Sequence, residues 1–365
     1  MLLDILHARP QLRRLALSVS LDFEDLPRYM PQLLSAFSGL SYLHALWLTD
    51  VTIDALPLID ACPGQLETLA VTPSHLELAG SSYYRPPRPA WKRRLGALVE
   101  RHSHTLRSFH CDYSWHLPHL IPSLKFPNVT VILPLSGCRV DMALAAAYPA
   151  LTHLRLGSFE PEISHLDKVW PSLRHLDLEM WDSGTLSPDH CVRNIAFHAL
   201  LHNQRARAVA HIAILASPHV TGLRVSWEWR PDTLDLLVEV IALFPNLKYL
   251  SIPAFFDYNI EGLRNFTRIV ACLPASLRIL ELRLMMVTQQ HLDANCESRD
   301  AMIELFIARA PQLEVVGIEW MGIRTCSRNT YHWRIEGQSD RLLEPAVVKD
   351  LLRDYLYSYE WPEWP

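Results

Sequence analysis

The sequence contains no Cys-x-x-Cys pair, no glycine-rich phosphate loop, no run of about 18 apolar residues and very little lysine. Its seven cysteines, Cys62, Cys111, Cys138, Cys191, Cys272, Cys296 and Cys326, lie at least 24 residues apart and are odd in number. That argues against a disulfide framework and for a reducing compartment, cytoplasmic or nuclear. The amino terminus carries a charge at Asp4, so neither a signal peptide nor a membrane helix is expected. No G-x-G-x-x-G or G-x-x-x-x-G-K motif occurs, which disfavours nucleotide binding, and no G-x-S-x-G elbow marks a hydrolase. Lysines number 5 against 29 arginines, the basic residues are scattered along the chain, and the net charge is only -5. No footprint of nucleic-acid binding is visible in this pattern.

What remains is an apolar, folded chain. With 49% apolar and 20% charged residues, its 365 positions can bury a large core. One phrase recurs: a helix-like stretch, usually a proline, then L-x-x-L-x-L with aliphatic substitutes. Pro10-Gln-Leu12-Arg-Arg-Leu15-Ala-Leu17 is typical, and copies stand at 43–48, 63–71, 106–111, 149–156, 171–178, 218–225, 245–252, 274–282 and 311–318. A degenerate copy covers 127–132. The final alternation makes a short strand, and the proline stops the helix before it. Helical spacing runs over 88–103, 232–244, 259–273 and 300–310. Such units cannot bury an apolar face alone, so they stack with parallel strands on one side and helices on the other. A doubly wound α/β domain is the competing fold, and the number of similar strands disfavours it.

This phrase resembles the leucine-rich-repeat superfamily and, more narrowly, the repeat regions of fungal F-box proteins. The resemblance covers about residues 2–318. It implies an α/β solenoid with a curved parallel sheet on its concave face and helices on its convex face. Residues 1–320 are then an array of ten or eleven irregular repeats, and 321–365 a carboxy-terminal cap of strand, helix and aromatic tail. It also implies substrate recognition for ubiquitin ligation, or else a scaffold or regulator unrelated to ubiquitin; an enzyme is a distant third. Two departures stand out. Intervals between first leucines run from 22 to 47 residues, and Ser20, Val51, Phe159, Trp181, Phe255 and Met285 replace the usual buried asparagine or cysteine. Backbone groups between turns must therefore be satisfied one by one. No F-box segment is found, so a Skp adaptor is expected only if an F-box lies upstream of this chain.

Candidate binding residues follow from alternation, because the residues flanking the inward leucines face away from the core. They are Trp47, His110, Asp112, His153, Arg155, His175, Asp177, Glu179, Arg224, Trp227, Tyr249, Glu281, Arg283 and Glu319. Tryptophan, tyrosine and arginine dominate protein-binding hot spots. Arg155, Arg224, Trp227 and Tyr249 are expected to be accessible, and Trp227, Trp229, Tyr249, Phe255 and Phe256 to form an aromatic cluster. Arg155 and Asp177 hold equivalent positions in consecutive phrases and can neutralise one another. The protein partner itself is unknown. No catalytic residue, metal ligand or cofactor is assigned: His198-Ala-Leu-Leu-His202 lacks the zincin glutamate, and His102, His104, His110, Cys111, Asp112, His116 and His119 have no recognised ligand spacing. The segment 191–216 reads as two helices with room for one hidden repeat.

Overall fold

Alternating side chains and a proline stop make each phrase a strand with one apolar side. The computed structural model of the chain describes residues 2–18, 26–63, 65–74, 88–111, 121, 123–132, 141–156, 165–178, 186–197, 209, 212, 213, 215–225, 227, 228, 234–255, 268–286, 304–306, 308, 310–322, 328–336, 339–344, 347, 348 and 352. The chain divides into two compact units, Met1–Leu173 and Arg174–Pro365. Both are mixed α/β, with parallel strands.

In the first unit, β1 (Arg14–Ser18), β2 (Ala45–Val51), β3 (Thr68–Pro73), β4 (Ser108–Cys111), β5 (Val131–Ile132) and β6 (His153–Leu156) pair in chain order, all parallel. Helix α1 (Leu2–Ala8) precedes β1, α2 (Leu26–Ser38), α3 (Pro57–Ala61), α4 (Pro89–Glu100) and α5 (Met142–Ala147) lie between strands, and α6 (Leu166–Val169) follows β6. The anticipated helix at 88–103 is α4. It starts on a proline, whose missing N–H costs nothing at that position, and it buries Trp91, Leu95, Leu98 and Val99. Helix α2 went unanticipated because Pro31 lies inside it, and α3, α5 and α6 are too short to show a period.

In the second unit, β7 (His175–Leu178), β8 (Asn194–Phe197), β9 (Gly222–Val225), β11 (Tyr249–Phe255), β12 (Ile279–Met286) and β13 (Val315–Gly322) are parallel. The two-residue β10 (Trp227–Glu228) pairs with β11, and α7 (Leu234–Ala242) lies within the anticipated 232–244 segment. Beyond β13 the direction reverses: β14 (Arg328–Glu336) and β15 (Ser339–Leu342) are antiparallel. The strand anticipated for the carboxy-terminal cap includes β14.

Strand β8 is the hidden repeat for which segment 191–216 left room, and it corrects the helical part of that reading. Residues 191–197 are not helix but a further phrase, Val192-Arg-Asn-Ile195-Ala-Phe197, in register with β7 and β9. The alanine-rich stretch after it concealed the alternation.

Register aligns the phrases. Leu15, Leu46, Leu69, Phe109, Ile132 and Leu154 follow one another across the first unit, and Leu176, Ile195, Leu223, Leu250, Leu280 and Val316 across the second. Leu154, Leu156, Leu176, Leu178, Leu250 and Leu280 expose 3% or less, as the alternation requires. Burial of each stabilises by roughly 1.5–3 kcal/mol over leaving it exposed. On this side of the first unit, Phe126 stacks between Phe109 (5.5 Å) and Tyr148 (4.7 Å).

The polar ladder missing after the strand stands before it instead. The residue preceding the first phrase leucine donates a side-chain hydrogen bond to a carbonyl of the previous turn: Thr105 to Leu66 (2.9 Å), Asn128 to His104 (2.6 Å), Ser172 to Leu151 (2.7 Å), Asn246 to Pro218 (3.0 Å), Ser276 to Pro245 (2.7 Å) and Gln312 to Pro274 (3.2 Å). Two indoles do the same, Trp91 to Val51 and Trp170 to Tyr148. Turn-to-turn carbonyls thus find partners singly, as an irregular period demands.

Candidate functional site

In the first unit, register places Ala16, Trp47, Ala70 and His110 side by side on the face opposite the leucines. Trp47 is thus a large, half-buried side chain between two alanines. Immediately after it the β2–β3 register shifts, and Asp50 has φ 55°, a left-handed conformation that aspartate tolerates better than most residues. Thr68, His110, His153 and Arg155 on the same face are also half-buried.

The Ser108 Oγ lies 2.5 Å from His110 Nε2, a contact that invites a nucleophilic reading. A general base works best with a pKa near the working pH and a partner orienting its other nitrogen. Burial pushes His110 down to about 4, and no carboxylate meets its Nδ1 among the described residues. His153 is fixed in another way. The Thr152 hydroxyl donates to the Thr130 carbonyl (3.1 Å), so His153 Nδ1, 2.7 Å from that oxygen, is the donor of the second bond. Cys62 is a buried thiol whose pKa burial raises to about 12, so it is not a nucleophile at neutral pH.

In the second unit the corresponding face carries two rows. His175, Asn194, Gly222, Tyr249, Ile279 and Val315 form one, and Asp177, Ala196, Arg224, Ser251, Glu281 and Gly317 the other. Asn194 contacts His175 Nδ1 at 3.1 Å and lies over Gly222, where an added Cβ would come 2.0 Å from its Oδ1. A side chain at 222 would force the Asn194 amide to move. His175, Asp177, Arg224 and Glu281 are half-buried.

Tyr249 is not accessible, contrary to the expectation from alternation: it exposes 1%. The reason lies at the carboxy terminus. Val348 and Leu352 are buried in one cluster with Tyr249, Ile279 and Val315, and Leu343 packs against it. The hydroxyl of Tyr249 donates to Glu281 Oε2, and burial, then the Glu281 charge, holds its pKa well above the ordinary value. Strand alternation selects the face correctly but carries no information about what covers it.

Several anticipated residues cannot be placed. Asp112, Glu179, Trp229, Phe256, His116, His119, His198 and His202 lie outside the described residues. Trp227, Phe255, Arg283 and Glu319 occupy strand positions, with Arg283 opposite Glu319, but their side chains lie outside the described set. Of the histidine-rich segment, His102 is buried and His104 exposed, and among the described residues no group of three His, Cys, Asp or Glu could hold a metal ion. Nor, among them, is any helix long and apolar enough to cross a membrane. No protein-family profile matches the chain, and no curated protein matches it.

Proposed function

We propose that this chain is a leucine-rich-repeat protein acting as a recognition module for another protein, in the role that repeat regions play for the substrates of F-box proteins. The observation that carries the reading is Trp47, half-buried between Ala16 and Ala70 on the strand face, with His110 and Arg155 further along the same face. Parallel strands hold these side chains in fixed register, and aromatic and arginine anchors on a rigid scaffold are what hot spots are made of. The reading assigns the chain no chemistry of its own. Its F-box component rests on the phrase alone.

Crosslinking mass spectrometry in the native cell would identify the partner, and Trp47→Ala tests the face. Capture should weaken by about 1–4 kcal/mol with an unchanged melt. Unchanged affinity with intact folding removes this face from the reading. Copurification of a Skp adaptor with the full-length product supports the ligase role; an adaptor-free complex leaves a scaffold or regulator unrelated to ubiquitin.

A further inference from the structure

Cations that are scattered along the sequence of the second unit are neighbours in its fold. The second residue of each phrase enters its strand through a backbone hydrogen bond to the equivalent residue of the previous one. Arg193 donates to Arg174 (2.9 Å), Thr221 to Arg193 (2.8 Å), Lys248 to Thr221 (2.8 Å), Arg278 to Lys248 (2.9 Å) and Glu314 to Arg278 (2.8 Å). These bonds set Arg174, Arg193, Thr221, Lys248, Arg278 and Glu314 side by side, about 4.8 Å apart, so the four cations span about 19 Å.

Arg193, Lys248 and Arg278 are exposed. Arg278 is engaged at the end of the row, with Nη1 donating to the Gln312 carbonyl (3.0 Å) and Nε 3.4 Å from Glu314. Arg193 and Lys248 make no ion pair with the described residues. Like charges directly opposite one another on adjacent strands oppose folding, and Arg174 with Arg193, then Lys248 with Arg278, are two such neighbours. In the first unit the same position reads Arg13, His44, Glu67, Arg107, Thr130 and Thr152, with mixed sign and His44 3.9 Å from Glu67.

We propose that this strand-entry edge of the second unit docks an acidic segment of a partner protein, an inference that rests on the protein-recognition reading but uses a different surface. An extended chain presents alternate side chains about 6.8 Å apart, so three carboxylates at alternate positions fit within the row. Charge complementarity of this kind supplies register and association rate. A nucleic-acid strand fits less well, because no aromatic side chain interleaves with the cations: Thr221 stands where a stacking platform would be needed.

The test uses the full chain and a fluorescent peptide alternating glutamate and serine, read by anisotropy at low and high salt. The unaltered chain should bind, with affinity falling as salt rises. The double variant R193E/K248E should lose about tenfold or more, whereas R13E/R107E in the first unit should bind as before. Circular dichroism checks that both fold, and Arg193→Gln with Lys248→Gln replaces the reversal if it does not. Absence of peptide binding by the unaltered chain, equal binding by the folded double variant, or binding of a single-stranded oligonucleotide in preference to the peptide overturns the proposal. Trp47→Ala separates the two surfaces: it should lose partner capture and keep the acidic peptide.

Discussion

In Met1–Leu173 the strand face keeps Trp47, Thr68, His110, His153 and Arg155 partly accessible, whereas in Arg174–Pro365 the row Tyr249, Ile279 and Val315 is buried with Val348 and Leu352. The leucine sides of the two units are built alike, from the same phrase in the same parallel register. The difference comes from the residue before the second leucine. Ala45, Thr68 and Ser108 at that position in the first unit, like His175, Asn194 and Gly222 at the start of the second, are small or polar, while Tyr249, Ile279 and Val315 at the end of the second are large and apolar. Large apolar side chains on a sheet surface call for cover, and here the chain's own carboxy-terminal segment provides it. The same repeat therefore serves as an open face in one place and as a floor for packing in the other.

The largest expected effect tests what the units share. Leu154→Asp and Leu176→Asp each place a charge among residues exposing 3% or less and should each cost about 4 kcal/mol or more. Hydrogen exchange should show protection lost throughout the unit that carries the substitution. A cooperative, unshifted melt for either variant would mean that its strand assignment is wrong.

A smaller effect tests what separates them. Leu352→Ala should cost about 2–3 kcal/mol and open the cover over Tyr249. In the intact protein, Tyr249 stays neutral in the folded state above the ordinary value of 10.0, while the unfolded chain ionises, so the native state holds more protons and stability falls as pH rises through that value. Ultraviolet titration should show Tyr249 resisting ionisation in the parent and titrating closer to 10.0 in Leu352→Ala. Identical titrations would show that this segment does not seal the row.

A third effect belongs to the first unit and has the opposite sign. His110 has a folded pKa of about 4 against an ordinary 6.5, so the unfolded state binds the extra proton and stability declines as pH falls between those values. Thermal melts across that range should decline less steeply for His110→Gln than for the parent. An equal decline would remove His110 as the cause.

Much of the fold was legible because the phrase is a local signal: two inward side chains at fixed spacing define a strand wherever they occur, and a proline marks its start. That reasoning located the strands around Leu46, Leu154, Leu176 and Leu250 and the helix at 88–103. It failed at Val192 to Phe197, where following alanines imitate a helix, and at α2, where Pro31 argues against one. The replacement ladder of Thr105, Ser172, Asn246 and Ser276 was present in the sequence at a constant position before each first leucine, but its acceptors lie a turn away.

The sequence alone determined which side chains face the leucine core and which face away, because alternation along a strand is a property of the backbone. Only the tertiary structure decided which of the outward residues stay accessible. Tyr249 and Trp47 both face away from the leucines by alternation, yet one is sealed with Val348 and Leu352 and the other keeps part of its surface in solvent. It likewise decided that Arg193, Lys248 and Arg278 belong together, since strand pairing makes neighbours of residues tens of positions apart in the chain. Burial and charge density depend on such long-range pairing, which a local pattern cannot encode.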